Sequence, residues 1–131
     1  VDTAVIALRF ANGALGVIEN SRRAAYGYDQ RAEVLGSRGA AASGNDTPST
    51  VRVSTADGVL SDKPLYFFLE RYMESFVEEM RQFVAAVRNG TEPPVTVEDA
   101  LEPVRIAEAA RLSRMERRVV RMEEIPGQAP G

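Results

Sequence analysis

Within Asn20–Gly39, which reads NSRRAAYGYDQRAEVLGSRG, Tyr26 and Tyr28 stand two apart with Gly27 between them, and Asp29, Gln30 and Arg31 follow at once. A phenol both donates and accepts hydrogen bonds, and its ring faces cover C–H surface, so a pair of tyrosines suits a ring rich in hydroxyls. On an extended backbone residues two apart leave the same face, and a glycine between them lets another chain or a ligand come close. This spacing resembles one wall of a sugar-type pocket. The competing reading takes Tyr26 and Tyr28 as strand residues chosen for β propensity. For Asp29 and Arg31 a local ion pair of ~0–1 kcal/mol is the better reading, and Arg22 and Arg23 flank the loop.

The remaining chemistry is sparse. Histidine and cysteine are absent from the 131 residues, so the chain has no ordinary proton shuttle, disulfide or thiolate metal site, and no metal ligand set is assigned. The one lysine, Lys63, lies in the turn-like Ser61-Asp62-Lys63-Pro64 and reads as solvated. The glycine spacings Gly13-x-x-Gly16 and Gly36-x-x-Gly39 fall in predicted hairpins, and no GxGxxG opens a helix, so no dinucleotide fingerprint is present. No catalytic residue is assigned. A net charge of −3 with its sixteen basic residues dispersed argues against nucleic acid, and fifteen of those being arginine carries no functional reading. Val1 to Phe10 lacks the marks of a signal peptide and no apolar run approaches a membrane span, so the chain is expected to be soluble and cytoplasmic, with no membrane partner.

The elements that must hold these residues change character midway. Strands are predicted at Thr3–Phe10 and Ala14–Ser21 about the Asn12-Gly13 turn. Further strands are predicted at Tyr28–Leu35 and Ala40–Ser43 about Gly36–Gly39, and at Val51–Thr55 and Val59–Leu60 about Asp57-Gly58. The alternation of Val51, Val53 and Thr55 with Arg52 and Ser54 is that of a half-buried strand. From Leu69 the apolar spacing becomes three and four: Leu69, Tyr72, Met73, Phe76, Val77, Met80, Phe83, Val84 and Val87 predict an amphipathic helix ending at Asn89-Gly90. Glu70, Arg71, Glu78 and Glu79 fall on its solvated face, and Tyr72 on its apolar stripe. Thr96 with Asp99 makes a capping box for a second helix, in which Pro103 predicts a kink or a later start. Arg118–Met122 reads as a closing strand and Pro126–Gly131 as a disordered tail. Strands first and helices last predict an α+β domain. Its open, mainly antiparallel sheet is expected to carry both helices on one face. Val5 and Ala7 lie on one side of the first strand and Ile6, Leu8 and Phe10 on the other, so the second face is expected to serve homo-oligomerisation.

Three segments carry a family resemblance: Asn20–Gly39, Phe68-Leu69-Glu70-Arg71-Tyr72, and Val95–Ala110 with its TVEDALEPVRIAEAA pattern. The chain resembles, from about Asp2 to Val120, the C-terminal domains of the glucose–fructose oxidoreductase/inositol dehydrogenase/rhizopine-catabolism family, and within it the inositol 2-dehydrogenases most. The resemblance implies that residues 1–125 are part of a substrate and oligomerisation domain. It implies a parent enzyme that is an NAD- or NADP-dependent dehydrogenase of a polyol or sugar such as myo-inositol. It also implies that the Rossmann domain, the cofactor site, and the catalytic lysine, aspartate and histidine precede Val1, which would leave the 131-residue chain alone inactive and without bound cofactor. Tyr26, Tyr28 and Tyr72 match the family's substrate-lining tyrosines, although for Tyr72 core packing is the stronger reading. One departure is Glu116-Arg117-Arg118, where relatives carry Gly-Arg. The alternative is a stand-alone dimerisation or small-ligand-binding module without catalysis.

Overall fold

Turn chemistry builds the first half of the chain in a computed structural model that describes residues 2–127. Strands β1 (Thr3–Arg9) and β2 (Leu15–Ser21) pair antiparallel from Thr3↔Ser21 to Arg9↔Leu15. Their loop is tied by the Phe10 amide donating to the Ala14 carbonyl and by the Asn12 side chain accepting from the Ala14 amide, with Gly13 at φ +89°. β3 (Ala32–Gly36) and β4 (Gly39–Ser43) close through Ser37-Arg38, and β5 (Arg52–Thr55) and β6 (Gly58–Ser61) through Ala56-Asp57. Helices α1 (Phe68–Asn89) and α2 (Val97–Glu116) follow, then a 3-10 turn at Met122–Glu124.

The α+β class and antiparallel pairing are as predicted, and among the described residues the strands form three two-stranded sheets. The chain divides into two units, Val1–Val77 and Glu78–Gly131, with α1 running through the boundary. In the first unit β1 alternates between exposed and half-buried residues, with Ala4, Ile6 and Leu8 facing inward. β3 to β6 are exposed at every residue, so the half-buried alternation expected of Val51–Thr55 is not met. The pattern of types is there, but burial requires a covering layer, which a strand's own sequence cannot supply.

Two further expectations are corrected, and of the kink or later start read from Pro103 the later start is not found. The third strand starts at Ala32 instead of Tyr28, because residues 24–31 are held as a loop by side-chain bonds described below. Arg118–Met122 is not a strand: Arg117 ends α2 in the left-handed conformation at φ +54°, and the Arg118 guanidinium is engaged by Glu116 and Glu124. Pro103 does not delay α2, which starts at Val97 with both bonds of the Thr96–Asp99 capping box in place. The cap answers the orphan amides of the first turn, and Pro103 forgoes one backbone bond beyond it. α1 ends as expected, on Gly90 at φ +64°. In the second unit the buried residues are Ala86, Ala109 and Ile125. Of the predicted tail, Pro126 and Gly127 lie in an irregular segment, and residues 128–131 lie outside the described residues.

Candidate functional site

In the first unit, outside the first hairpin, the half-buried residues are Ala24, Gly27, Tyr28, Asp29, Asn45, Pro64, Leu65, Phe68, Arg71 and Tyr72, and this is where the singled-out tyrosines lie. Three loops and the start of α1 meet there. Gly27 adopts φ +140°, and a Cβ on it would stand 2.7 Å from the Pro64 carbonyl oxygen. Only glycine allows that backbone approach. Directly after it the Tyr28 amide donates to the Leu65 carbonyl at 2.8 Å, and the Leu65 amide donates to the Asp46 carbonyl at 3.0 Å. Loop 24–31 is thereby laid on segment 64–66.

Side chains lock the same arrangement. Asp29, with 14% of its side chain exposed, accepts from Arg31 Nε at 2.7 Å and Arg31 Nη2 at 3.1 Å. It also accepts from Asn45 Nδ2 at 2.6 Å and from the Tyr26 hydroxyl. Asn45 Oδ1 accepts in turn from the Gln30 amide at 2.9 Å and from Arg71 Nη1 at 3.1 Å, while Arg71 Nη2 donates to the Gly44 carbonyl at 2.9 Å. One orientation of the Asn45 amide satisfies these three bonds, and the flipped one opposes donor to donor. The Arg31 guanidinium, then the Tyr26 and Asn45 bonds, hold the Asp29 carboxyl well below the usual carboxylate range. The bond to Asp29 raises the Tyr26 phenol above its ordinary value. A carboxylate so stabilised stays ionised at neutral pH and does not serve as a base.

The aromatic side of the site stands on α1. Tyr28 meets Tyr72 edge to face at 6.0 Å between ring centroids and Phe68 at 6.4 Å, and Phe68 meets Phe76 at 6.5 Å. Tyr28 Oη donates to Gln30 Oε1 at 3.0 Å. The structure therefore brings Tyr28 and Tyr72 together directly, and joins Tyr26 to Tyr28 through the loop that carries both together with Asp29. The premise that Tyr26 and Tyr28 share a strand face does not hold, because Gly27 breaks the extended run and the two hydroxyls reach different partners. The ion pair read for Asp29 and Arg31 is present. Glu78 pairs with Arg81, which depresses the Glu78 carboxyl to about 2. Asn45 and Arg71 are the residues that sequence reasoning missed. Arg71 stood with the solvated face of α1, and its position inside the FLERY segment was the only signal that could have drawn attention to it.

Among the described residues no glycine-rich turn opens a helix of the kind that receives a dinucleotide's pyrophosphate. Gly13–Gly16 and Gly36–Gly39 lie in strand connections, and neither opens a helix N-terminus that would receive a pyrophosphate. Among the described residues no group of three or more histidine, cysteine, aspartate or glutamate side chains could hold a metal ion. Nor is any helix among them long and apolar enough to cross a membrane.

Residues 1–122 match the family described as the oxidoreductase family, C-terminal alpha/beta domain. The chain is 56% identical over 113 residues to an uncharacterized oxidoreductase of Bacillus subtilis, YrbE, covering 86% of this chain and 33% of that protein. It is 48% identical over 127 residues to the myo-inositol 2-dehydrogenase of Thermotoga maritima, covering 97% of this chain and 38% of that protein. Among solved structures it superposes on a probable dehydrogenase from Thermotoga maritima with a TM-score of 0.91 at 48% identity, over 96% of this chain and 38% of that one. A myo-inositol dehydrogenase from Corynebacterium glutamicum gives a TM-score of 0.86 at 35% identity, over 98% and 38%. The chain thus spans between 33% and 38% of the length of these relatives.

Proposed function

The chain belongs to the oxidoreductase family as its C-terminal alpha/beta domain, and on that premise we propose that it is the substrate-side region of a nicotinamide-dependent dehydrogenase acting on a polyol of the inositol type. The observation that carries this reading is the cluster of Tyr26, Tyr28 and Tyr72, fixed by Asp29, Asn45 and Arg71, in a chain 48% identical to a protein named myo-inositol 2-dehydrogenase. Phenol oxygens exchange hydrogen bonds with ring hydroxyls, and the edges and faces of Tyr28, Tyr72 and Phe68 offer apolar surface to ring C–H groups. What these residues do in the reaction is bind and orient. Oxidising a secondary alcohol also requires a base and a hydride acceptor, for which this chain offers no histidine and no dinucleotide turn. In this reading NAD or NADP and the proton-transfer groups belong to other parts of the parent enzyme, and the 131-residue chain alone is inactive.

The test is an assay of the full-length parent with myo-inositol and NAD or NADP, following reduced nicotinamide. Polyol-dependent reduction is expected, and its absence across a panel of inositols and sugars would remove the proposal. In an active parent, Tyr28→Phe should raise KM for the polyol several-fold, the worth of one hydrogen bond of ~1 kcal/mol, with little change in kcat. An unchanged KM takes Tyr28 out of the pocket.

The same reading gives the first hairpin an assembly role. Cross-strand partners share a face, so Val5, Ala7, Val17 and Leu15 lie together, and Val5, Val17 and Leu15 are 68%, 70% and 80% exposed. Arg9 and Glu19 share that face, and an apolar patch edged by opposite charges is suited to a second copy of the parent. Light scattering on the eluted full-length protein should give an oligomer, and a strict monomer at micromolar concentration would count against this role.

A further inference from the structure

The ionised Asp29 carboxylate can only accept, which assigns the Tyr26 hydrogen and restricts what a ligand there can offer. A carboxylate has about four acceptor positions. Those of Asp29 are taken by Arg31 Nε, Arg31 Nη2, Asn45 Nδ2 and the Tyr26 hydroxyl, so Asp29 has none left for a ligand. The single hydrogen of Tyr26 is committed to Asp29, and that of Tyr28 to Gln30 Oε1. What both phenols retain is oxygen lone pairs.

We propose that Asp29 is a positioning residue that, by taking the Tyr26 proton, presents the Tyr26 oxygen as a hydrogen-bond acceptor, so that this part of the wall selects ligand positions bearing a hydroxyl and disfavours positions bearing a carbonyl. The inference rests on the reading above that these tyrosines face a polyol. A ring hydroxyl donates to such an oxygen, whereas a carbonyl meets it acceptor to acceptor. The carbon being oxidised changes from hydroxyl to carbonyl, so it lies away from this wall, which reads hydroxyls that persist through the reaction. Interactions of that kind are equal in ground and transition states and act on KM more than on kcat.

The experiment uses the full-length parent with Tyr26→Phe, Asp29→Asn and the double variant, each checked for folding by thermal unfolding. Each single variant should raise KM for myo-inositol several-fold with kcat within about twofold, and the double should be no worse than Tyr26→Phe alone, because Asp29 acts through Tyr26. Tyr26→Phe raising KM while Asp29→Asn leaves it unchanged, or additive effects, overturns the role of Asp29 and leaves the polyol reading standing. No change in either removes Tyr26 from the pocket and the proposal with it. Should Asp29→Asn not fold, or the parent not oxidise polyols, a carbon-13 titration of ring-labelled tyrosine in the unaltered enzyme decides the coupling. Tyr26, assigned by loss of its signal in Tyr26→Phe, should titrate above free tyrosine, and titration at the free value overturns the proposal.

Discussion

Replacing Gly27 by alanine is expected to lower the unfolding free energy of the full-length protein by about 2–6 kcal/mol and to weaken polyol binding with it. Two effects add. A residue with a Cβ is strained at φ +140°, a cost of ~1–3 kcal/mol, and the new methyl would sit 2.7 Å from the Pro64 carbonyl oxygen, 3.1 Å from Pro64 Cβ and 3.2 Å from the Leu65 carbonyl oxygen. Those atoms are backbone and a proline ring, so the collision is not relieved by a side-chain rotation, and overpacking of this kind costs ~1–3 kcal/mol. The Leu65 carbonyl is the acceptor for the Tyr28 amide, so moving the loop away breaks the bond that lays Tyr28 against Tyr72 and Phe68. Gly44→Ala is the control: a Cβ there meets nothing within 4 Å, and little change is expected. Urea unfolding of both variants checks the pair, and a Gly27→Ala loss below ~1 kcal/mol would mean that the two loops do not touch as placed.

Arg105→Ala should release the segment after α2, at a local cost of about 2–4 kcal/mol. The side chain is 20% exposed, its guanidinium is bonded to Glu102 at 2.6 Å through Nη1, and Nη2 donates to the carbonyls of Met122 at 3.0 Å and Ile125 at 3.2 Å. Hydrogen bonds from a charged donor are worth ~1.5–3 kcal/mol each, and alanine would leave the Ile125 carbonyl without its side-chain donor and the Met122 carbonyl with the Ile125 amide alone. Ile125, 6% exposed, is then expected to leave its buried position. Hydrogen exchange reads this directly: the Glu124 and Ile125 amides, which donate to Arg121 and Met122, should exchange roughly 30-fold faster or more. Arg105→Met should be milder, since it keeps the aliphatic stem and discards a buried Nε that has no protein partner among the described residues. Exchange unchanged in Arg105→Ala would show that the segment is held by Ile125 alone.

The two expectations about loops and helix ends that came through best depend on residues close in sequence. Asn12-Gly13, Ser37-Arg38 and Asp57-Gly58 mark connections between strands, and Thr96 with Asp99 caps α2, because each device acts over a few residues. The start of β3 was not legible. Tyr28 to Leu35 has the types of a strand, yet Gln30 spends its backbone amide on Asn45, fifteen residues away, and Asp29 accepts from the same side chain. The Arg118–Met122 stretch shows the same limit at shorter range, where pairing with Glu116 and Glu124 prevails over strand propensity.

The candidate site divides along the same line. Residue types alone singled out Tyr26, Tyr28 and Tyr72 and their suitability for a hydroxyl-rich ring, and the period of three and four from Leu69 to Val87 determined α1 with Tyr72 upon it. Only the tertiary structure brought Asn45 to Asp29 and Arg71 to Asn45, and thereby fixed the carboxylate that receives the Tyr26 hydrogen. Propensity and periodicity are written in neighbouring residues. The placement of loop 24–31 is decided by partners that the folded chain brings from fifteen to twenty-six positions away.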